Sequence, residues 1–502
     1  NTAGTSNLRL GVNAGNSIVS GGNYNTVVGD EAGTAITTGD SNIGVGYGAV
    51  KAATTGSQNV GVGVNTLATL TTASYNTALG TSALTANTSG ANNVAVGTNA
   101  LEANTTASYN TAVGKSALAA NTTGTECTAV GQGALDASNG SYNTGVGSDT
   151  LGTNTSGTNN TAVGRLALYA NTTGVENTVV GSAAGDALTT GLRNVVMGYA
   201  ALTSDTKGQH NVAIGYSALF AQNFTSATNA YNTAVGSSAG AAITTGVNNT
   251  LIGGLAGDAI TTGVNNTAIG YGSLSANTTG AENTVVGTVA GSAVSTGAGN
   301  TFIGFQAAAY DANKITTGHS NTYIGAYARS SSATVINEIA IGRYVLAQGT
   351  LTATLGVNGN GATISIDGSD TSWAAHSDQR LKENITTSTA GLSFINDLRP
   401  VTYTWKAKNA ISEDFTNYYD ADSTDPVNGV AGKTYHGFVA QEMKATIDAH
   451  SEVADGNNLW AERTDDIQQL APGNLVPMLV KAIQEQSALI TSLTARVAEL
   501  EG

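Results

Sequence analysis

The sequence predicts a mostly β protein: a β-solenoid of 17-residue coils, followed by a small α+β domain that ends in a coiled coil. Three observations predict it. Asn recurs every 17 residues, with Gly four residues after it, over the first two-thirds of the chain. All four prolines and more than half of the charged residues fall in the last quarter. A heptad of apolar residues closes the chain.

The repeat is read first. Asn25, Asn42, Asn59, Asn76, Asn93 and Asn110 are each 17 residues apart. Continued in both directions, the pattern gives 20 coils headed from Asn7 to Glu338, and only Cys127 and Glu338 replace the Asn. Gly stands four residues after the head in all 20, from Gly11 to Gly342, and the residue before that Gly is always apolar. Each coil therefore opens with a short β-prone strand of the N-T-A-V-G type, whose first and third residues after the Asn share a face. A second apolar pair follows, such as Ala117 and Leu118, then a turn such as 121–124 (NTTG). A unit this short cannot bury its own face, but stacked units can. At strand spacing, 20 coils make a rod of about 95 Å. The Asn column is expected to form a side-chain ladder that caps backbone groups at the bend. Two coils are lengthened to 21 residues, at 224–230 and around 310–314, and these are expected to be surface loops decorating the shaft.

Composition agrees. Charged residues are 11% of the 502, against about 25% in an ordinary globular domain. A rod whose amides all join a ladder excludes Pro. Residues 1–376 hold 25 charged residues and residues 377–502 hold 28. The domains are therefore set at 1–342 (shaft), 343–376 (transition) and 377–502, with the coiled coil at 475–501. In the transition, 351–355 and 362–366 alternate apolar and polar residues around 356–361 (GVNGNG), which reads as a hairpin or a pair of interleaved strands closing the rod, with Trp373 as a plug.

A net charge of −15 argues against nucleic acid as partner, because phosphate binding needs clustered Lys and Arg. No segment approaches the ~18 apolar residues of a membrane span, so no membrane insertion is expected. The single cysteine, Cys127, rules out an intrachain disulfide and reads as a small buried residue. No metal or cofactor motif is found, so none of either is expected. The N-x-T sequons recur with the coil period and read as ladder, not glycosylation; the Thr columns read as corner residues, not an ice-binding face. Phe220, Phe224, Tyr231, Phe305, Tyr310, Tyr323 and Tyr327 are noted as exposed aromatics suited to sugars, with packing as the default. The scattered acids Asp30, Glu31, Asp186, Asp258 and Asp311 read as solvated; a glycan-cleaving pair would have to stand roughly 5–9.5 Å apart.

The heptad runs Val476, Leu479, Ile483, Gln486, Ile490, Leu493, Val497, Leu500, with β-branched residues at a and mostly Leu at d. Such a pattern by itself favours two strands.

The N-T-A-V-G repeat resembles the parallel β-roll heads of trimeric autotransporter adhesins and the repetitive shafts of phage tail fibres. The stretch 377–385 (SDQRLKENI) closely resembles the start of the self-cleaving intramolecular chaperone at the C-termini of phage endosialidase tailspikes. Further matches follow in order: 394–405 (FINDLRPVTYTW), 435–443 (YHGFVAQEM) and 475–486 (LVPMLVKAIQEQ). Four motifs in the right order are a specific signal. The resemblance implies a homotrimer, in place of the two strands favoured by the heptad. It implies cleavage between Ser377 and Asp378, with Ser377 as nucleophile and Lys382 as its base. The chemistry is coherent, since a Ser hydroxyl needs an adjacent base and a partly buried Lys can serve. Arg380, Glu383 and Asn384 match the motif as supporting residues, and Gln441 and Glu442 match the later one.

The expected function is the distal segment of a homotrimeric bacteriophage tail fibre or spike. It would attach to a host-surface receptor, expected to be a glycan, and its only enzymatic activity would be autoproteolysis. The chain begins at Asn1, not Met, so other virion tail proteins are expected to bind through a part preceding it. The alternatives are a cellular trimeric adhesin or filament of the same fold, and a glycan depolymerase.

Overall fold

A computed structural model describes all residues except 1–3, 311, 313, 368–378, 380–382, 415–417, 429, 455–458 and 463–467. The chain forms two compact units, Asn1–His376 and Ser377–Gly502.

The first unit is a mostly β solenoid. Each coil contributes one three-residue strand, from Leu8–Leu10 to Ile339–Ile341, and each strand pairs in parallel with the next. Register advances by one coil at every step, as in Thr111↔Thr128 and Val113↔Val130. The middle residue of each coil's strand points inward, and the residues on either side point out. Ala112, Ala129 and Ala162 are fully buried, whereas the adjoining Thr and Val remain partly exposed.

The Asn column forms the expected ladder. Asn160 shows the unit: its backbone N–H donates to Asn143 Oδ1 at 3.0 Å, and its Nδ2 donates to the same oxygen at 3.2 Å. That Nδ2 also reaches the Gly174 carbonyl at 2.9 Å, and Asn160 Oδ1 in turn accepts from Asn177. One amide thus satisfies backbone groups of two coils at a buried bend, where an unpaired group costs about 1–3 kcal/mol. Cys127 fills the slot once, buried, its N–H on Asn110 Oδ1 and its thiol against the Gly140 carbonyl; burial pushes the thiol pKa up. Glu338 ends the ladder. Its N–H donates to Asn321 Oδ1, and its buried carboxylate accepts from Tyr323 Oη and the Gly349 N–H, both at 2.6 Å.

The Gly that follows each strand is required by conformation and by space. All 20 have φ between 128° and 142°. A Cβ on Gly114 would stand 2.4 Å from the Gly131 carbonyl oxygen one coil on. In all but the last two coils the backbone turns left-handed again four residues after this Gly, and the residue there sets the filling. Leu118 sits at φ 51°, fully buried, with Asn121 three residues later; Gly185 sits at φ 52° with Leu188 three residues later. Where this residue is Gly, the position three later carries a larger apolar side chain, such as Leu188 or Ile243.

Two expectations need correction in part. The inserted segment 224–230 keeps residues 225–227 and 229 at the surface but is held against the shaft at both ends. Phe224 is only 6% exposed, Ala230 is buried, and Thr228–Asn229 pairs in parallel with Gly208–Gln209, so the insertion folds onto the shaft. Its backbone is anchored on the buried carboxylate of Asp205, which accepts from the Phe224 N–H at 3.1 Å and Gln222 Nε2 at 2.7 Å. Among the aromatics expected at the surface, Phe224 and Tyr323 are buried. Tyr323 occupies the inward strand position and stacks on Phe302 at 5.3 Å. Tyr310 packs edge-on against Tyr327 and Tyr344, so the second insertion also lies against its neighbours; Asp311 lies outside the described residues.

The transition is a hairpin, Thr352–Val357 with Asn360–Ser365, turning on Asn358 and Gly359 alone. Its first strand still pairs in parallel with Ile339–Ile341, so the shaft ladder runs on into the hairpin. Trp373 lies outside the described residues.

The second unit is α+β. Helices α1 (Leu392–Asp397), α2 (Ala440–Ala449), α3 (Ser451–Ala454) and α4 (Val476–Glu501) surround a small core of Phe394, Met443, Ile447, Val453, Leu459 and Leu475. Two short antiparallel pairs complete it, Val401–Tyr403 with Tyr435–Gly437 and Trp460–Glu462 with Gln468–Leu470.

Candidate functional site

The three motifs that follow the 377–385 stretch come together in space. The first runs from Phe394, the centre of the core, through α1 and into the strand Val401–Tyr403. That strand pairs with Tyr435–Gly437, which opens the second motif, setting Thr402 opposite His436. His436 is thus a strand residue. The third motif begins at the buried Leu475, just before α4, and enters that helix, where Ala482 is buried.

Polar contacts fasten the motifs to one another. Arg399 donates through Nε to Glu442 Oε2 at 2.9 Å and through its terminal nitrogen to Oε1. This hydrogen-bonded guanidinium holds the Glu442 carboxyl below the usual carboxylate range. Glu485 on α4 accepts the N–H of Leu392, the first residue of α1, at 2.8 Å. An unpaired helix N-terminal donor is satisfied, and a carboxylate placed there gains from the helix dipole. The Glu485 pKa is lowered, first by this bond. His450, at the end of α2, joins two carboxylates, with Nδ1 2.8 Å from Glu452 and Nε2 2.8 Å from Asp397 on α1. Both bonds raise its pKa, Glu452's the more.

Of the expected site residues, Ser377, Asp378, Arg380 and Lys382 lie outside the described residues. Glu383 and Asn384 are exposed, and Asn384 takes a left-handed φ of 52°. Gln441 is exposed in the first turn of α2. Glu442 is engaged by Arg399, which gives it a place in holding motifs together. Sequence reasoning did not single out His450, Asp397, Glu452 or Glu485. Their partners are 53 and 93 residues away, or belong to no motif, so no spacing marks them. Among the described residues, no group of three or more His, Cys, Asp or Glu is placed to hold a metal ion.

Residues 377–451 match the family model described as chaperone of endosialidase. The C-terminal unit carries a chaperone-of-endosialidase domain. The match begins at Ser377, the first residue of the second compact unit, and spans the first three motifs. The fourth motif and the heptad follow it. No curated protein matches the chain. A β-solenoid shaft ahead of this chaperone domain fits a tail-fibre architecture with a C-terminal intramolecular chaperone. Among the described residues no helix is long and apolar enough to cross a membrane.

Proposed function

We propose that the chain is the distal segment of a homotrimeric bacteriophage tail fibre or spike, that it attaches to a host surface, and that its C-terminal domain drives trimer assembly and then cuts itself free. The observation that carries the reading is the chaperone-of-endosialidase match joined directly to a repetitive β shaft.

Two unpartnered surfaces support association between copies. The apolar residue before each coil's Gly faces outward and is half-buried or exposed in every coil, from Leu10 to Ile341. This makes a continuous apolar stripe the length of the shaft, far beyond what a monomer normally leaves in water. The heptad residues Ile483, Ile490, Leu493 and Val497 on α4 are exposed as well. The first turns of α4 use a different seam, Leu475, Met478, Ala482 and Glu485, against their own domain, so the heptad stripe stays free.

A chaperone is needed because the coils are nearly alike. Chains side by side can slip by a whole coil with little loss of buried apolar surface. A C-terminal domain that trimerises first sets one register. Cleavage then adds one water across the peptide bond between Ser377 and Asp378, leaving a carboxylate on Ser377 and an amino terminus on Asp378. Ser377 is the nucleophile and Lys382 the base that takes its proton. The supporting residues are Arg380, Glu383, Asn384, Gln441 and Glu442. The shaft persists as the product, and its trimeric state no longer depends on the chaperone.

Mass spectrometry of the expressed chain tests this. The wild type is expected to give two products meeting between Ser377 and Asp378, and Ser377→Ala and Lys382→Ala are expected to stay at full length. Full-length mass in the wild type after folding removes the autoproteolysis.

A further inference from the structure

The residue immediately before each ladder position has a left-handed backbone in all 20 coils, from Ser6 to Asn337. Such a φ suits Gly or Asn and is unfavourable for a bulky side chain. The column does use Asn, at Asn92, Asn159, Asn248 and Asn265. Against that preference, Tyr75, Tyr109 and Tyr142 take φ of 66°, 63° and 62°. Their rings gain little burial in return, being 60%, 63% and 54% exposed. None of the three hydroxyls has a hydrogen-bond partner among the described residues.

Their spacing is regular. Tyr75, Tyr109 and Tyr142 occupy every second coil, a stride of about 9.6 Å at strand spacing. The coils between them put Asn92 and Glu126 in the same column. Side chains of this column do project along one line, because those on adjacent coils touch: His210 stacks on Tyr231 at 5.0 Å, and Arg193 pairs with Glu176 at 2.7 Å. The result is a track of aromatic, amide, aromatic, carboxylate, aromatic.

We infer that Tyr75, Tyr109 and Tyr142 form a binding track for a linear, neutral polysaccharide lying parallel to the shaft axis. A pyranose ring presents an apolar C–H face that stacks on an exposed aromatic, and Tyr supplies that area at little entropic cost. An extended chain advances roughly two sugar units per stride of about 9.6 Å, so alternate sugars meet the rings. The sugars between them offer hydroxyls to Asn92 and Glu126. The carboxylate of Glu126 and the net charge of −15 select against a polyanion. This inference deepens the host-attachment reading by naming the ligand class and the residues.

Native affinity electrophoresis of the full chain tests it, with hydroxyethyl cellulose and pullulan as neutral linear polymers and hyaluronate as the anionic control. At least one neutral polymer is expected to lower the relative mobility twofold or more, and hyaluronate is expected to leave it unchanged. The combined Tyr75→Ser, Tyr109→Ser, Tyr142→Ser variant is expected to abolish the retardation at unchanged solution mass. Ser41 and Ser320 hold the same φ in this column, so the change asks nothing new of the backbone. Tyr24→Ser, in the same column but off the two-coil stride, is expected to behave as wild type. The inference is overturned if neither neutral polymer retards the protein, if the triple variant is retarded like wild type, or if the triple variant changes mass, which would assign the tyrosines to contacts between copies. Cell attachment separates the two readings. Attachment that survives the triple variant discards the track and keeps host binding; polysaccharide binding without attachment does the reverse.

Discussion

Arg399 and Glu442 lie 43 residues apart in the chain and meet across the C-terminal core, the guanidinium donating to both carboxylate oxygens. Arg399 lies within one motif of the chaperone domain and Glu442 within another, so the pair ties the segment after α1 to the first turn of α2. Both side chains are well exposed, so their value lies in geometry more than in stability. Charge reversal of Arg399 to Glu is expected to lower the melting point of the C-terminal unit by no more than about 4 °C. Adding Glu442→Arg is expected to restore it. Tryptophan fluorescence reads this unit, since Trp405 and Trp460 both lie in it. A double variant no better than the single shows that the pair does not hold the motifs together.

Asn160→Ala removes one rung of the ladder. The Asn177 N–H loses its acceptor, whereas the Gly174 carbonyl keeps the bond from Asn171 Nδ2. The expected cost is about 1–3 kcal/mol, from one buried N–H left unpaired. In a solenoid the damage stays near its origin. Hydrogen exchange is expected to quicken between 143 and 194 and to remain slow in distant coils. Uniform loss of protection along the shaft contradicts a rung-by-rung ladder.

His450 makes the C-terminal unit sensitive to pH. Its folded pKa is raised above the ordinary value of 6.5 by Glu452 and Asp397. The stabilisation is therefore full below about pH 6.5 and is lost as pH rises through the higher folded value. The melting point of this unit is expected to fall on going from pH 6 to pH 9, and His450→Gln is expected to flatten that slope. An unchanged slope in the variant assigns the pH dependence elsewhere.

On the proposed reading, the heptad carries association at the C-terminus. Ile490→Asp with Leu493→Asp places two charges in the centre of the proposed seam, where burying an unpaired charge is prohibitive. The solution mass of the freshly folded chain is expected to drop from three copies to one. Retention of the trimer would leave the shaft stripe as the sufficient contact.

Much of this protein is legible in its sequence, for a physical reason. In a solenoid each residue's neighbours are the same position one coil before and after, so a 17-residue period states the strands, the ladder and the turn glycines together. The Asn column, the Gly column and the hairpin that extends the ladder could all be placed from spacing alone. The chaperone domain was legible through its motifs. The inward or outward direction of each strand column was not. The column before the glycine is apolar in every coil, yet it faces out, while the Ala beside it fills the core. A coil too narrow for large side chains on every wall reverses the usual reading of hydrophobicity. Nor could spacing show that Phe224 folds back onto Asp205, that Glu338 closes the ladder on Tyr323, or that His450 and Glu485 reach helix α1 from 53 and 93 residues away. Periodicity determines what repeats; contacts between distant, unrepeated residues exist only once the chain has folded.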